Sequence, residues 1–298
     1  MKKAVAAMIA ACMIAIPQIG LADAAVGDVI VTLGENLTPQ QKETVLQDLN
    51  APENAQTVTV SNEEEHKYLG QYIPKSQIGT KALSSSSITI EKSGSGLEVQ
   101  TKNITAITDE MYLNALMTAG VKDATVQVTA PFEVSGTAAL TGLIKAYEVS
   151  SDQVIPEDVK QVANEELVTT SELGQKHGEE NAAALMAKVK EQVAQNGVPA
   201  NDEELRTMIE NAAKELGITL TEEEINSLIS LFNKMKDANI DWNQVSQQLD
   251  QAKEKITKFI ESEEGQNFID QVIQFFAAIW NAIVSLFNGG GQNAAGLK

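Results

Sequence analysis

Residues 87–101 read SITIEKSGSGLEVQT. Two runs rich in β-branched residues, 87–92 and 97–101, flank Ser93-Gly94-Ser95-Gly96, whose glycines supply backbone angles that a tight turn needs. The stretch predicts a β-hairpin, and with it a sheet in the first half of the chain. Further strands are expected on both sides of it, at 28–33 (DVIVTL), 57–60 (TVTV) and 124–129 (ATVQVT).

Helices separate these strands. Thr38-Pro39-Gln40-Gln41 combines an N-cap hydroxyl, proline in the first turn and a glutamine three residues past the cap, so a helix is expected to about Leu49. Ser61 and Glu64 repeat the pattern for a short helix to about Gly70. Thr108 caps a helix over 111–119 that Gly120 ends, and another spans about 137–149. This half therefore reads as an α+β or small α/β domain, 25–153.

From Pro156 the β signal vanishes. Helices are expected at 156–173, 179–196, 202–216, 222–237 and 242–261, with breaks at Gly174, Gly197-Val198-Pro199, Gly217 and Asn239. Asn201 with Glu204 and Thr221 with Glu224 are legible caps. Ile225, Leu228, Ile229, Phe232 and Met235 form an apolar stripe at helical spacing. The expectation is an all-α C-terminal domain, 154–264, then a separate helix, 265–288, and a glycine-rich tail, 289–298. Ile269, Val272, Ile273, Phe276, Ile279, Trp280, Ile283 and Leu286 line one wide face of that last helix. The face suits docking within the chain, a partner or an oligomer contact. Asp270, Gln271, Gln274 and Asn281 argue against a membrane span.

The N-terminus carries an address. Lys2 and Lys3 precede an apolar run, 4–16, that is shorter than the ~20 residues of a permanent anchor. Pro17 breaks it, and Ala22-Asp23-Ala24 supplies the small-x-small pattern of a cleavage site. Residues 1–24 thus read as a signal peptide, with Ala25 the new N-terminus. An acylated Cys12 is the alternative, but the residues after it stay apolar instead of forming a polar tether. Cys12 is the only cysteine. A processed chain has neither disulfide nor thiolate chemistry.

Charge restricts partners further. The net charge is −19, and loss of Lys2, Lys3 and Asp23 makes it −20. Such a surface repels nucleic acid and anionic lipid. Arg206 is the lone arginine, so bidentate clamps on phosphate or carboxylate ligands are nearly out of reach.

These residues name no catalytic, cofactor-binding or metal site. His66 and His177 lie in no zinc-ligand spacing. Acidic pairs at 179–180, 203–204, 222–224 and 263–264 could bind calcium, but most complement the dipole of a first helical turn. Ser84–Ser87 carries hydroxyls without a nucleophile elbow and reads as a loop before a strand. Ser135-Gly136 could present amides to an anion or serve as a plain helix cap. Paired carboxylates suffice for glycan hydrolysis, but 4% aromatic residues is thin for a sugar cleft.

The stretches 24–33 (AAVGDVIVTL), 84–90 (SSSSITI), 108–124 (TDEMYLNALMTAGVKDA), 128–150 (VTAPFEVSGTAALTGLIKAYEVS) and 230–242 (SLFNKMKDANIDW) resemble the YpuA-like family, secreted Gram-positive bacterial proteins with a domain of unknown function. The resemblance implies an exported protein associated with the cell envelope, and brings no reaction, ligand or functional residues. The expected role is a non-catalytic binding or structural component, secreted or held at the envelope, with an envelope protein or wall polymer as partner. A wall hydrolase, or a regulator of one, is the alternative.

Overall fold

The computed structural model describes residues 26–151 and 153–261. The signal segment and the helix expected at 265–288, including Ile269 to Leu286, lie outside them. The chain begins with β1 (Val29–Gly34), α1 (Pro39–Asp48), β2 (Gln56–Val60), α2 (Asn62–Leu69), α3 (Lys75–Ile78) and β3 (Ser85–Ile90). It continues with β4 (Leu97–Ile104), α4 (Asp109–Thr118), β5 (Ala124–Val134) and α5 (Thr137–Ser151). Helices α6 (Glu157–His177), α7 (Glu179–Asn196), α8 (Asp202–Glu215), α9 (Glu222–Asp237) and α10 (Trp242–Glu261) follow.

Local chemistry fixes these boundaries. The Gln41 amide donates to Thr38 Oγ1 while the Thr38 amide donates to Gln41 Oε1, closing the expected capping box. Ser61 with Glu64 and Thr221 with Glu224 do the same. Gly174, however, does not end α6. It is buried in the last turn of α6, where a Cβ would lie 3.0 Å from Met111 Cε and 3.1 Å from Glu179 Cα. Its role is close packing against α4 and the start of α7. Gly178, at φ +93°, ends the helix instead.

The strands form one mixed sheet in the order β2-β1-β3-β5-β4. β1 is parallel to β2 and β4 to β5, whereas β3 is antiparallel to both of its neighbours. The hairpin expected at 87–101 therefore does not form: β3 and β4 run in opposite directions, but β5 lies between them. Ala124, Val126, Val128 and Ala130 of β5 are all fully buried, and that apolar row claims the place beside β3. The glycine-containing connection wraps around the start of β5. Asp123 Oδ1 accepts from the Gly94 and Gly96 amides, each at 2.9 Å, and the Asp123 carbonyl accepts from Glu91. Positive φ at Gly94 and Gly96 lets it span two strand spacings, about 10 Å, instead of one.

The two faces of the sheet are covered unequally. Val31 and Leu33 point to one face, where Val45 of α1 and Leu49 at its C-terminal cap pack against them. Ile30, Ile88, Val126 and Val128 point to the other, beneath α4 and α5. α5 sits close because Gly142 lets it approach Thr32 of β1 and Val60 of β2; a Cβ there would lie 2.9 Å from Thr32 Oγ1. The C-terminal helices add a further layer behind α4 and α6, and one apolar cluster runs from Ile30 in the sheet to Leu249 in α10. Among the described residues all strands precede residue 135, and none of the helices is long and apolar enough to cross a membrane.

One ion-pair node ties the helical layer together. Glu224, third residue of α9, lies 3.0 Å from His177 Nε2 and 3.1 Å from Lys176 Nζ at the end of α6. Burial pushes its carboxyl up, but the Thr221 amide, His177 and Lys176 outweigh burial and hold it at about 2. Because the folded value lies below the unfolded one, the stabilisation is present above pH 4.5 and is lost as pH falls towards 2. Glu224→Gln is expected to remove about 2 kcal/mol at neutral pH. Thermal melts between pH 2 and 6 test this: the variant loses much of the wild-type slope, and an unchanged slope refutes the assignment.

Candidate functional site

β1, β2, β4 and β5 share one direction, so their carboxyl ends, Gly34, Val60, Ile104 and Val134, lie at one edge of the sheet. α1, α2, α4 and α5 start immediately after these ends, and their positive N-terminal poles gather there. In open α/β sheets this edge is the usual place for ligands. It is the candidate site of this protein.

Tyr112 stands at its centre. The ring is fully buried on α4, and its hydroxyl donates a hydrogen bond to the Gly136 carbonyl in the turn between β5 and α5. Gly136 has φ +94°, and a Cβ there would lie 2.5 Å from Ile104 Cγ2 and 2.7 Å from Tyr112 Oη. The Ser135-Gly136 turn is thus packed against Tyr112, and its carbonyl is already used. Burial raises the phenol above its ordinary value, and the carboxyls of Asp109 and Glu65 raise it further.

Three carboxyls of raised pKa surround this ring and the start of α4. Glu65 of α2 is 2% exposed; burial lifts it to about 7, against a single hydrogen bond from Asn62 Nδ2 at 2.9 Å. Burial also raises Asp109, against hydrogen bonds from Thr101, and Glu110, against its own amide and Thr108. Glu65 can exchange a proton near neutrality, and burial shifts Asp109 and Glu110 in the same direction. Among the described residues no group of three His, Cys, Asp or Glu side chains has an arrangement that would hold a metal.

The remaining sequence candidates have structural neighbours. The serine run is not a loop: Ser84 to Ser87 are all buried, and Ser85–Ser87 lie within β3. Ser85 Oγ accepts from the Gly34 amide at 3.1 Å and Ser86 bonds to Thr32 across the sheet, so these hydroxyls serve strand pairing. His66 Nε2 is 3.0 Å from the Gly79 carbonyl. The acidic pairs at 179–180, 203–204 and 222–224 occupy first turns of α7, α8 and α9, and 263–264 lies outside the described residues.

A second buried cluster is absent from the sequence reading. Lys190 of α7 is 0% exposed and donates to the Asn114 carbonyl at 2.7 Å, Thr118 Oγ1 at 2.8 Å and Glu166 Oε1 at 3.0 Å. Thr118 donates in turn to the other oxygen of Glu166. All three ammonium protons are used, and the network fastens α4, α6 and α7 to one another. Burial lowers the Lys190 pKa, and Glu166 opposes this. The available signal was positional: Glu166 and Lys190 fall within the apolar stripes Val162-Ala163-Leu167 and Met186-Val189-Val193.

The family model described as protein of unknown function (DUF1002) matches residues 33–252. A relative from Bacillus subtilis (strain 168), named "Uncharacterized protein YpuA", is 67% identical over 289 residues, which cover 96% of this chain and 100% of the relative. No solved structure matches.

Proposed function

We propose that this chain, which belongs to the DUF1002 family, is exported and works at the bacterial cell envelope as a non-catalytic binding or structural component. It is built as an α+β unit, 25–153, followed by a helical unit, 154–264. The observation that carries the reading is the three-part N-terminus, with Lys2-Lys3, the apolar run 4–16 and the Ala22-Asp23-Ala24 cleavage pattern. The cysteine-free processed chain accords with it. Its core is fastened instead by packing and by the buried Lys190–Glu166–Thr118 network.

The bonding at the carboxyl edge supports binding over chemistry. The Tyr112 hydroxyl, the Gly136 carbonyl and the serine run of β3 are committed to holding the edge together. The apolar face of residues 265–288 is a proposed contact for a partner or a second copy. The raised carboxyl of Glu65 favours a second reading, a wall hydrolase or a regulator of one, because a general acid needs a carboxyl protonated near neutrality.

Cell fractionation followed by N-terminal sequencing, then incubation with purified peptidoglycan, tests the proposal. A chain starting at Ala25 outside the cytoplasm, cosedimenting with the wall without soluble products, is the expected result. A cytoplasmic chain retaining Met1 defeats the export reading, and release of soluble fragments transfers support to the hydrolase.

A further inference from the structure

We propose that α2 is a proton-controlled flap: it stays docked on α5 and α6 while the Glu65 carboxyl is protonated, and ionisation of that carboxyl releases it. The inference stands apart from export and envelope binding and rests on the surroundings of Glu65.

Glu65 is 2% exposed and receives a hydrogen bond from Asn62 Nδ2 of its own helix. A carboxylate in water draws several donors, so ionisation at this depth is costly unless a cation compensates. The nearby cations are committed elsewhere. Lys145 of α5 binds Glu64 at 2.7 Å and the Thr59 carbonyl at 2.9 Å. Lys67 binds Glu157 of α6 at 2.5 Å, and Lys234 of α9 binds Glu165 of α6 at 2.7 Å. Lys75 of α3 and Glu63 are exposed, and His66 Nε2 is turned to the Gly79 carbonyl. From α4, Tyr112 feels the charges of both Glu65 and Asp109, and neither α4 group supplies a cation.

The grip of α2 is also separable from the main core. Its buried apolar anchor, Leu69, belongs to a small cluster with Ile73, Ile78 and Val168, distinct from the cluster that joins the sheet to the C-terminal helices. An eight-residue helix held by a satellite cluster can open without unfolding the rest. Release returns Glu65 to water and to its ordinary value of 4.5, whereas burial in the docked helix lifts it to about 7. The docked form therefore binds the proton more tightly, and docking weakens as pH rises through this window.

Hydrogen exchange across residues 61–79, corrected for intrinsic rates, tests the flap at pH 5.5 and 8.5. The opening equilibrium of the wild type is expected to rise roughly 30-fold between the two. Glu65→Gln, which keeps the shape and the Asn62 bond, is expected to hold the segment closed at both. Equal wild-type protection at both pH values, or the same rise in the variant, overturns the proposal. If the variant does not fold, carboxyl carbon NMR of wild-type Glu65 decides: titration near 4.5 overturns it, and titration near 7 sustains it.

Discussion

Lys190→Met is expected to lower the unfolding free energy by about 3–5 kcal/mol, because it leaves the Glu166 carboxylate buried without its cation. Glu166 is 0% exposed, and its remaining partner is the Thr118 hydroxyl. The Asn114 carbonyl also loses a donor at 2.7 Å. The double variant Lys190→Met with Glu166→Leu removes both charges, and most of the loss should return, since a packed apolar pair in place of a buried ion pair is close to neutral. Urea unfolding of the four members of this cycle measures the coupling. If the two single losses simply add in the double variant, the pair does not act as a unit and the assignment fails. The network lies behind the sheet and touches none of the carboxyl-edge groups, so the surviving fold should keep that edge intact.

Gly136→Ala is the second large effect, expected at about 2–4 kcal/mol from a strained positive φ together with overpacking. The new methyl would meet Ile104 Cγ2 at 2.5 Å and the Tyr112 hydroxyl at 2.7 Å. Relief requires either the turn or the ring to move, and each movement breaks the Tyr112-to-Gly136 hydrogen bond. Tyr112→Phe loses the same bond without the clash and should cost about 1–2 kcal/mol. Comparing the two by denaturant unfolding separates the bond from the packing. A Gly136→Ala loss no greater than that of Tyr112→Phe would show that the turn accommodates a side chain, contrary to its geometry.

The legible and hidden parts of the site divide along physical lines. The helix starts that build the carboxyl edge were readable, because Thr38, Ser61 and Thr108 each cap the backbone amide three residues on. That these starts meet at one edge was not readable, since it follows from β1, β2, β4 and β5 sharing a direction. Glu65 is the last of three consecutive acids, 63–65, and nothing local marks it for burial. Its burial depends on α5 and α6 closing around that side of α2. Likewise the serine run carried no sign that it pairs inside the sheet.

The sequence by itself determined where most elements lie and where the capped helices start, but not α3, the end of α6 or the full lengths of β3, β4 and β5. Capping, helical periodicity and glycine punctuation act over four residues or fewer, and their energies are present before any tertiary contact forms. Tertiary structure alone decided the order of the strands, the packing role of Gly174 and the burial of Glu65, Glu166 and Lys190. Each of these is a competition between distant segments. The apolar row of β5 outcompetes β4 for the side of β3, close approach of α4 and α7 requires a bare Cα at Gly174, and desolvation reaches a charged side chain only when several helices surround it. The stretch 87–101 shows both: strands do flank its glycines, though β3 starts earlier, in the serine run, and β4 ends later, and their pairing was settled by a strand that begins more than twenty residues downstream.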